Sequence, residues 1–70
     1  MASDAAMLRA LGKRVRDLRH GRGFSQERLA ELAEIHENHV RRIEAGTANP
    51  SYLVVGRLAR ALGVNPSALF

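Results

Sequence analysis

The chain has 70 residues, 46% of them apolar, and no cysteine, which limits it to one small domain without a disulfide, a thiolate metal site or a cysteine nucleophile. Its formal net charge is +4, and no apolar run approaches the roughly 18 residues that a membrane helix needs. One Tyr and two Phe are too few for a platform that stacks single-stranded nucleic acid. The opening Met1-Ala2-Ser3-Asp4 lacks the basic-then-apolar order of a secretory signal, and the absence of cysteine fits a reducing compartment. A cytoplasmic protein is expected. Charge is unevenly placed. Residues 1–22 carry six Lys and Arg against two Asp, residues 23–46 carry three Arg against five Glu, and residues 47–70 add two Arg. Basic ends suggest nucleic acid or an acidic partner.

Leu8, Leu11, Val15 and Leu18 recur at helical spacing and predict a first helix that Gly21 and Gly23 end. Residues 1–7 read as a tail leading into it, and residues 8–70 as the domain. Ser25 is placed to cap a second helix, whose inner face is Leu29, Leu32 and Ala33. Val40 and Ile43 resume a helical face over about residues 36–45, which stops at Gly46. After the loop Thr47-Ala48-Asn49-Pro50, Ser51 caps a fourth helix with Tyr52, Val55, Leu58, Ala59 and Leu62 facing inward and Gly63 ending it. Asn65-Pro66 is a start signal for a last single turn, Ser67 to Phe70. The expected fold is all-α, with five short helices and no strand.

The stretch Gln26 to Glu44 carries the functional signal. Two short helices meet across a turn of three or four residues, with Ala30 small enough for a close crossing and Leu29, Leu32, Ile35, Val40 and Ile43 pointing inward. Spacing alone leaves a helix-turn-helix and an ordinary helical hairpin both open.

The residues themselves go further. Leu11-Gly12-Lys13-Arg14-Val15-Arg16, Phe24-Ser25-Gln26-Glu27-Arg28-Leu29-Ala30, Ile43-Glu44-Ala45-Gly46, Asn49-Pro50-Ser51 and Leu58-Ala59-Arg60-Ala61-Leu62-Gly63-Val64 form five ordered blocks. In these the chain resembles the DNA-binding domain of the phage repressor and Cro family, also called the XRE family, over residues 8–70. The resemblance implies a lambda-repressor-like domain in which helices 2 and 3 form the helix-turn-helix. It implies that a recognition helix over about residues 36–45 enters the major groove. Glu37 and Asn38 then fall on the main base-reading positions, Arg42 one turn later, with His39 beside them. Asn can pair bidentately with adenine and Arg with guanine, and Glu can accept from the cytosine amino group. Ser25, Gln26, Thr47, Asn49 and Ser51 are expected at phosphates, as is Arg41, which lies off the reading face. Arg19 and Glu44 match positions that form an internal ion pair in relatives.

Three positions depart from the family pattern. Glu34 stands at a turn position that favours Gly, where a left-handed backbone costs a non-Gly residue about 1–2 kcal/mol. His36 stands where Ser or Thr usually caps the recognition helix, so a weak cap is expected. Glu37 repels phosphate unless it meets a base amino group.

Leu53, Val54 and Arg57, with Leu69 and Phe70, are the expected surface of a homodimer, around a mid-helix Gly56. The competing expectation for Phe70 is that it seals the monomer core. Ser25, Ser51 and Ser67 are explained as caps or first-turn residues, so no catalytic set is expected. His36 and His39 lack a third ligand, and no metal, cofactor or small-molecule ligand is expected. Double-stranded DNA is the expected partner, as for a homodimeric transcriptional regulator on a palindromic operator. The alternative is an antitoxin or adaptor whose role is contact with another protein. A domain of this size, for which no ligand-sensing or cleavable region is expected, resembles restriction–modification controller proteins, small phage repressors and antitoxins, and the resemblance implies a bacterial or phage-encoded protein.

Overall fold

The computed structural model describes residues 3–70. Helices α1 (Asp4–Gly21), α2 (Gln26–Ala33), α3 (Glu37–Glu44) and α4 (Tyr52–Leu62) are followed by a 3-10 turn, Pro66–Leu69. The described residues thus hold four α-helices and one 3-10 turn in place of five helices. Four residues are too few for an α-helical hydrogen-bond ladder, and the Asn65 side chain accepts from the Ser67 N–H to start the tighter turn. No strand occurs among the described residues, and none of their helices is long and apolar enough to cross a membrane.

Helix α1 begins four residues before the apolar pattern does. Ser3 accepts from the Ala6 N–H at 3.1 Å, and Asp4 complements the positive end of the helix dipole. Most of the expected tail is therefore the first turn of α1, exposed and invisible to a periodicity that reports only packed faces. Residues 1 and 2 of that tail lie outside the described residues. On the exposed side of α1, Lys13 donates to Asp17 at 2.7 Å and holds its carboxyl below the ordinary range. The sign follows: this surface pair contributes above the unfolded carboxylate pKa, and its contribution is lost as pH falls through the lowered folded value.

The core gathers one stripe from each element. Val15, Leu29, Val40, Ile43, Leu58 and Leu62 are at most 1% exposed. Leu69 joins them at 1%, which removes it from the expected dimer surface. The cause is Arg14, whose guanidinium donates twice to the Ala68 carbonyl, at 2.8 and 3.0 Å, and seats the 3-10 turn against α1. Phe70 next to it is 80% exposed, so Leu69 rather than Phe70 seals the core. Tyr52 is corrected in the opposite sense. It extends the inner stripe of α4 by one turn, but at 85% exposure it stands over an open apolar groove beside Met7 and Phe70, which no element among the described residues covers.

Close approach of α1 to α3 depends on Gly12. A Cβ there would lie 2.8 Å from the Glu44 carbonyl oxygen and closer still to that of Ile43. Because the obstacle is backbone, the two helices must separate to admit a methyl group. Gly12→Ala is expected to cost about 1–3 kcal/mol, read as a lower urea midpoint at unchanged slope. An unchanged midpoint would show that the α1–α3 contact adjusts without penalty.

Candidate nucleic-acid interface

Helices α2 and α3 meet at a turn built on Glu34. Its backbone is left-handed (φ 59°, ψ 44°), and it is the only non-glycine residue with positive φ among the described residues. The Glu34 N–H reaches the Ala30 and Glu31 carbonyls, and the Ile35 N–H reaches Ala30 at 3.0 Å. This closes α2 and reverses the chain. The strain foreseen from the sequence is thus present and tolerated. Glu34→Gly removes it, partly offset by the greater freedom of Gly in the unfolded chain. A gain of about 0.5–1 kcal/mol in dilute thermal melts is expected.

His36 begins α3 more effectively than its residue type suggests. Its Nδ1 accepts from the Asn38 N–H at 3.1 Å, with extended backbone at His36 itself. A ring nitrogen supplies what a hydroxyl would. Val40, Ile43 and Glu44 then face inward, while Asn38, Arg41 and Arg42 are exposed and Glu37 and His39 half-buried. Asn38 and Arg42 are one turn apart on one face. Among the described residues, nothing hydrogen-bonds the Asn38 amide or the Arg42 guanidinium.

Glu37 and Arg41 are not independent charges. Arg41 donates to the Glu37 carboxylate at 2.6 Å across one turn. The pair offsets the carboxylate that the sequence presents as a repulsive element. It equally commits the cation assigned to phosphate.

Below this face lies a buried polar anchor. Arg19 Nε donates to Glu44 Oε2 at 2.7 Å, and Arg19 Nη2 to Oε1 at 3.0 Å, with the side chains 9% and 4% exposed. The guanidinium also donates to the Phe24 carbonyl at 2.8 Å and contacts His20 Nε2 at 3.2 Å. It thereby joins the end of α1, the entry to α2 and the end of α3. Gln26 completes the set, its Nε2 donating to Glu44 Oε1 at 3.0 Å. One amide hydrogen of a residue expected at phosphate is therefore spent inside the protein. The sequence carries no local signal for this, because Gln26 opens one helix and Glu44 ends another.

The remaining expected phosphate residues lie at helix ends. Ser25 and Ser51 accept from the N–H groups of Arg28 and Val54, at 2.9 and 3.2 Å, and both are exposed. A hydroxyl used as acceptor keeps its own proton to donate. Thr47 Oγ1 donates to the Arg42 carbonyl at 3.2 Å and closes α3, while Asn49 is exposed on the following loop. Among the described residues, no group of three His, Asp or Glu stands close enough to hold a metal ion.

Two short helices across a left-handed turn, with the second presenting polar residues outward, define a helix-turn-helix domain. The family model described as a helix-turn-helix domain matches residues 10–69, and the chain belongs to that family of DNA-binding transcriptional regulators. It is 37% identical over 59 residues to control protein C.BamHI of Bacillus amyloliquefaciens, spanning 83% of this chain and 73% of that one. The structure is similar to that of the restriction–modification controller protein C.AhdI from Aeromonas hydrophila, at 40% identity and TM-score 0.89, covering 90% of this chain and 96% of the other. A helix-turn-helix transcriptional regulator from Vibrio cholerae matches at TM-score 0.91 and 25% identity, over 97% of this chain but 38% of its own. These relatives are regulators and not enzymes.

Proposed function

We propose that this protein is a sequence-specific regulator of the controller type, binding an inverted-repeat operator as a homodimer with α3 in the major groove. The observation that carries this reading is the outward face of α3. Asn38 and Arg42 stand there side by side and unengaged, on a helix fixed from below by Arg19, Gln26 and Glu44. Rigid placement of a few bidentate side chains is what base reading requires. Glu37 and His39 flank that pair. Ser25, Gln26, Thr47, Asn49 and Ser51 lie at helix ends and on the loop after α3, where short donors and backbone N–H groups suit phosphate. Arg41 has the charge for a phosphate contact once it yields Glu37.

Dimerisation is supported by the outer side of α4. Leu53 is 62% exposed, Val54 and Arg57 are half-buried, and Phe70 lies bare at the chain end. Likeness to C.BamHI and C.AhdI supports control of restriction–modification genes.

Selection from randomised duplex DNA at two salt concentrations tests the reading. The expected result is an enriched inverted repeat with half-site centres about 34 Å apart. Affinity should fall steeply with salt in proportion to the phosphates contacted. Weak, salt-sensitive binding without enrichment would overturn it in favour of a role in protein contact.

A further inference from the structure

Glu34 presents a question that the turn alone does not answer. Glycine would adopt its backbone without strain, yet a charged residue stands there. Strained positions that persist tend to carry a function in their side chain. The Glu34 side chain lines a groove of about 430 Å³ along α4, together with Tyr52, Leu53, Gly56, Arg57 and Arg60. Gly56 leaves that groove open, since nothing lies within 4 Å of where its Cβ would be. Leu53 is exposed in it. Among the described residues, Glu34 pairs with no cation, and Arg57 and Arg60 with no carboxylate, although all three border one groove.

An interface about a two-fold axis must be complementary to itself: what one protomer offers, its partner must accept. This groove meets that condition. It is lined by one acid, Glu34, by two bases, Arg57 and Arg60, and by the apolar Leu53 beside a glycine that leaves space for a partner. We infer that α4 pairs with α4 of a second copy across this groove, and that Glu34 of each protomer bonds Arg57 and Arg60 of its partner. The inference rests on the homodimer proposed above and names what sets its register. Gly56 admits the partner's helix, Leu53 supplies the apolar contact, and the charges admit one alignment of the two. The residue that departs from glycine at the turn is then a dimer determinant, and its strain is the cost of carrying a carboxylate there.

Complementary charge reversal tests this by sedimentation equilibrium, with circular dichroism as the check on folding. Glu34→Arg places like charges opposite each other twice in a homodimer, as does the double variant Arg57→Glu with Arg60→Glu. Each alone should dimerise more than about tenfold less tightly than the unaltered chain. Mixed in equal amounts, they should recover a dimer, because both contacts in the mixed species are again between opposite charges. Pairing within one chain would give no such recovery. Glu34→Gln, which only removes charge, should weaken the dimer about two- to thirtyfold for two exposed pairs. If the unaltered chain dimerises and the mixture stays as monomeric as its components, the pairing is wrong while the dimer stands. An unaltered chain that remains monomeric at every concentration, alone and on DNA, overturns the dimer and the pairing with it.

Discussion

Arg19→Ala is expected to cost about 3–5 kcal/mol, because it strands the Glu44 carboxylate at 4% side-chain exposure with only Gln26 to bond it. A chain of 70 residues has a total stability of only about 4–10 kcal/mol. The substitution therefore removes from about a third of the stability to all of it. The reverse change, Glu44→Ala, should cost a comparable amount by leaving a guanidinium without its carboxylate, although the Phe24 carbonyl still accepts from it. The cost is that of breaking a pair, not the net value of having one. Arg19→Met combined with Glu44→Leu should recover most of the lost stability, since neither buried charge remains. Urea titration of the two single variants and the double variant closes the cycle. Single variants costing less than about 1 kcal/mol would place the pair among solvated surface contacts. The double variant has a second use. If the ion pair orients α3, a chain restored in stability should still bind DNA less well than the unaltered one.

The helices were legible in the sequence because apolar spacing and caps agreed at almost every element. Ser25, Ser51 and Asn65 accept the N–H groups their positions require, and Gly63 adopts the left-handed backbone that ends α4. Glu34 was legible as a strained turn through the resemblance, which marks that position for glycine. Missing information concerned what lies beyond each helix. Tyr52 has the right period to be buried and no neighbour to bury it, and periodicity cannot report the neighbour. Leu69 and Phe70 are adjacent apolar residues, and which of them turns inward is decided by Arg14, 54 residues away in sequence from the carbonyl it holds. The double use of Gln26, at the start of a helix and on a buried carboxylate, is equally non-local. In the candidate site, the sequence supplied the identity of the outward residues. The resemblance also implied the pair of Arg19 with Glu44, whereas the couplings of Glu37 with Arg41 and of Gln26 with Glu44 required the packed structure.

Asn38→Ala and Arg42→Ala carry the largest expected effect on function. Each removes a side chain that is exposed and one turn from the other, and neither has a structural partner to lose among the described residues. Unfolding midpoints should therefore stay within about 0.5 kcal/mol of the unaltered chain, as for other surface sites. Discrimination should not. A bidentate contact to adenine or guanine is worth about 1–3 kcal/mol against the wrong base. Each protomer of a homodimer loses that amount on its own half-site, so the operator preference should fall by about 2–6 kcal/mol per substitution. Binding to unrelated duplex should change little for Asn38→Ala, which removes no charge. For Arg42→Ala the outcome is diagnostic: an unchanged salt slope means the guanidinium met a base, and a shallower one means it met phosphate. Arg41→Ala gives the contrasting profile, with a shallower slope, similar losses on every sequence, and a Glu37 carboxylate no longer offset by its neighbour. Competition binding of the three variants against specific and random duplex separates these cases. Unaltered preference in both Asn38→Ala and Arg42→Ala would remove α3 as the reading helix.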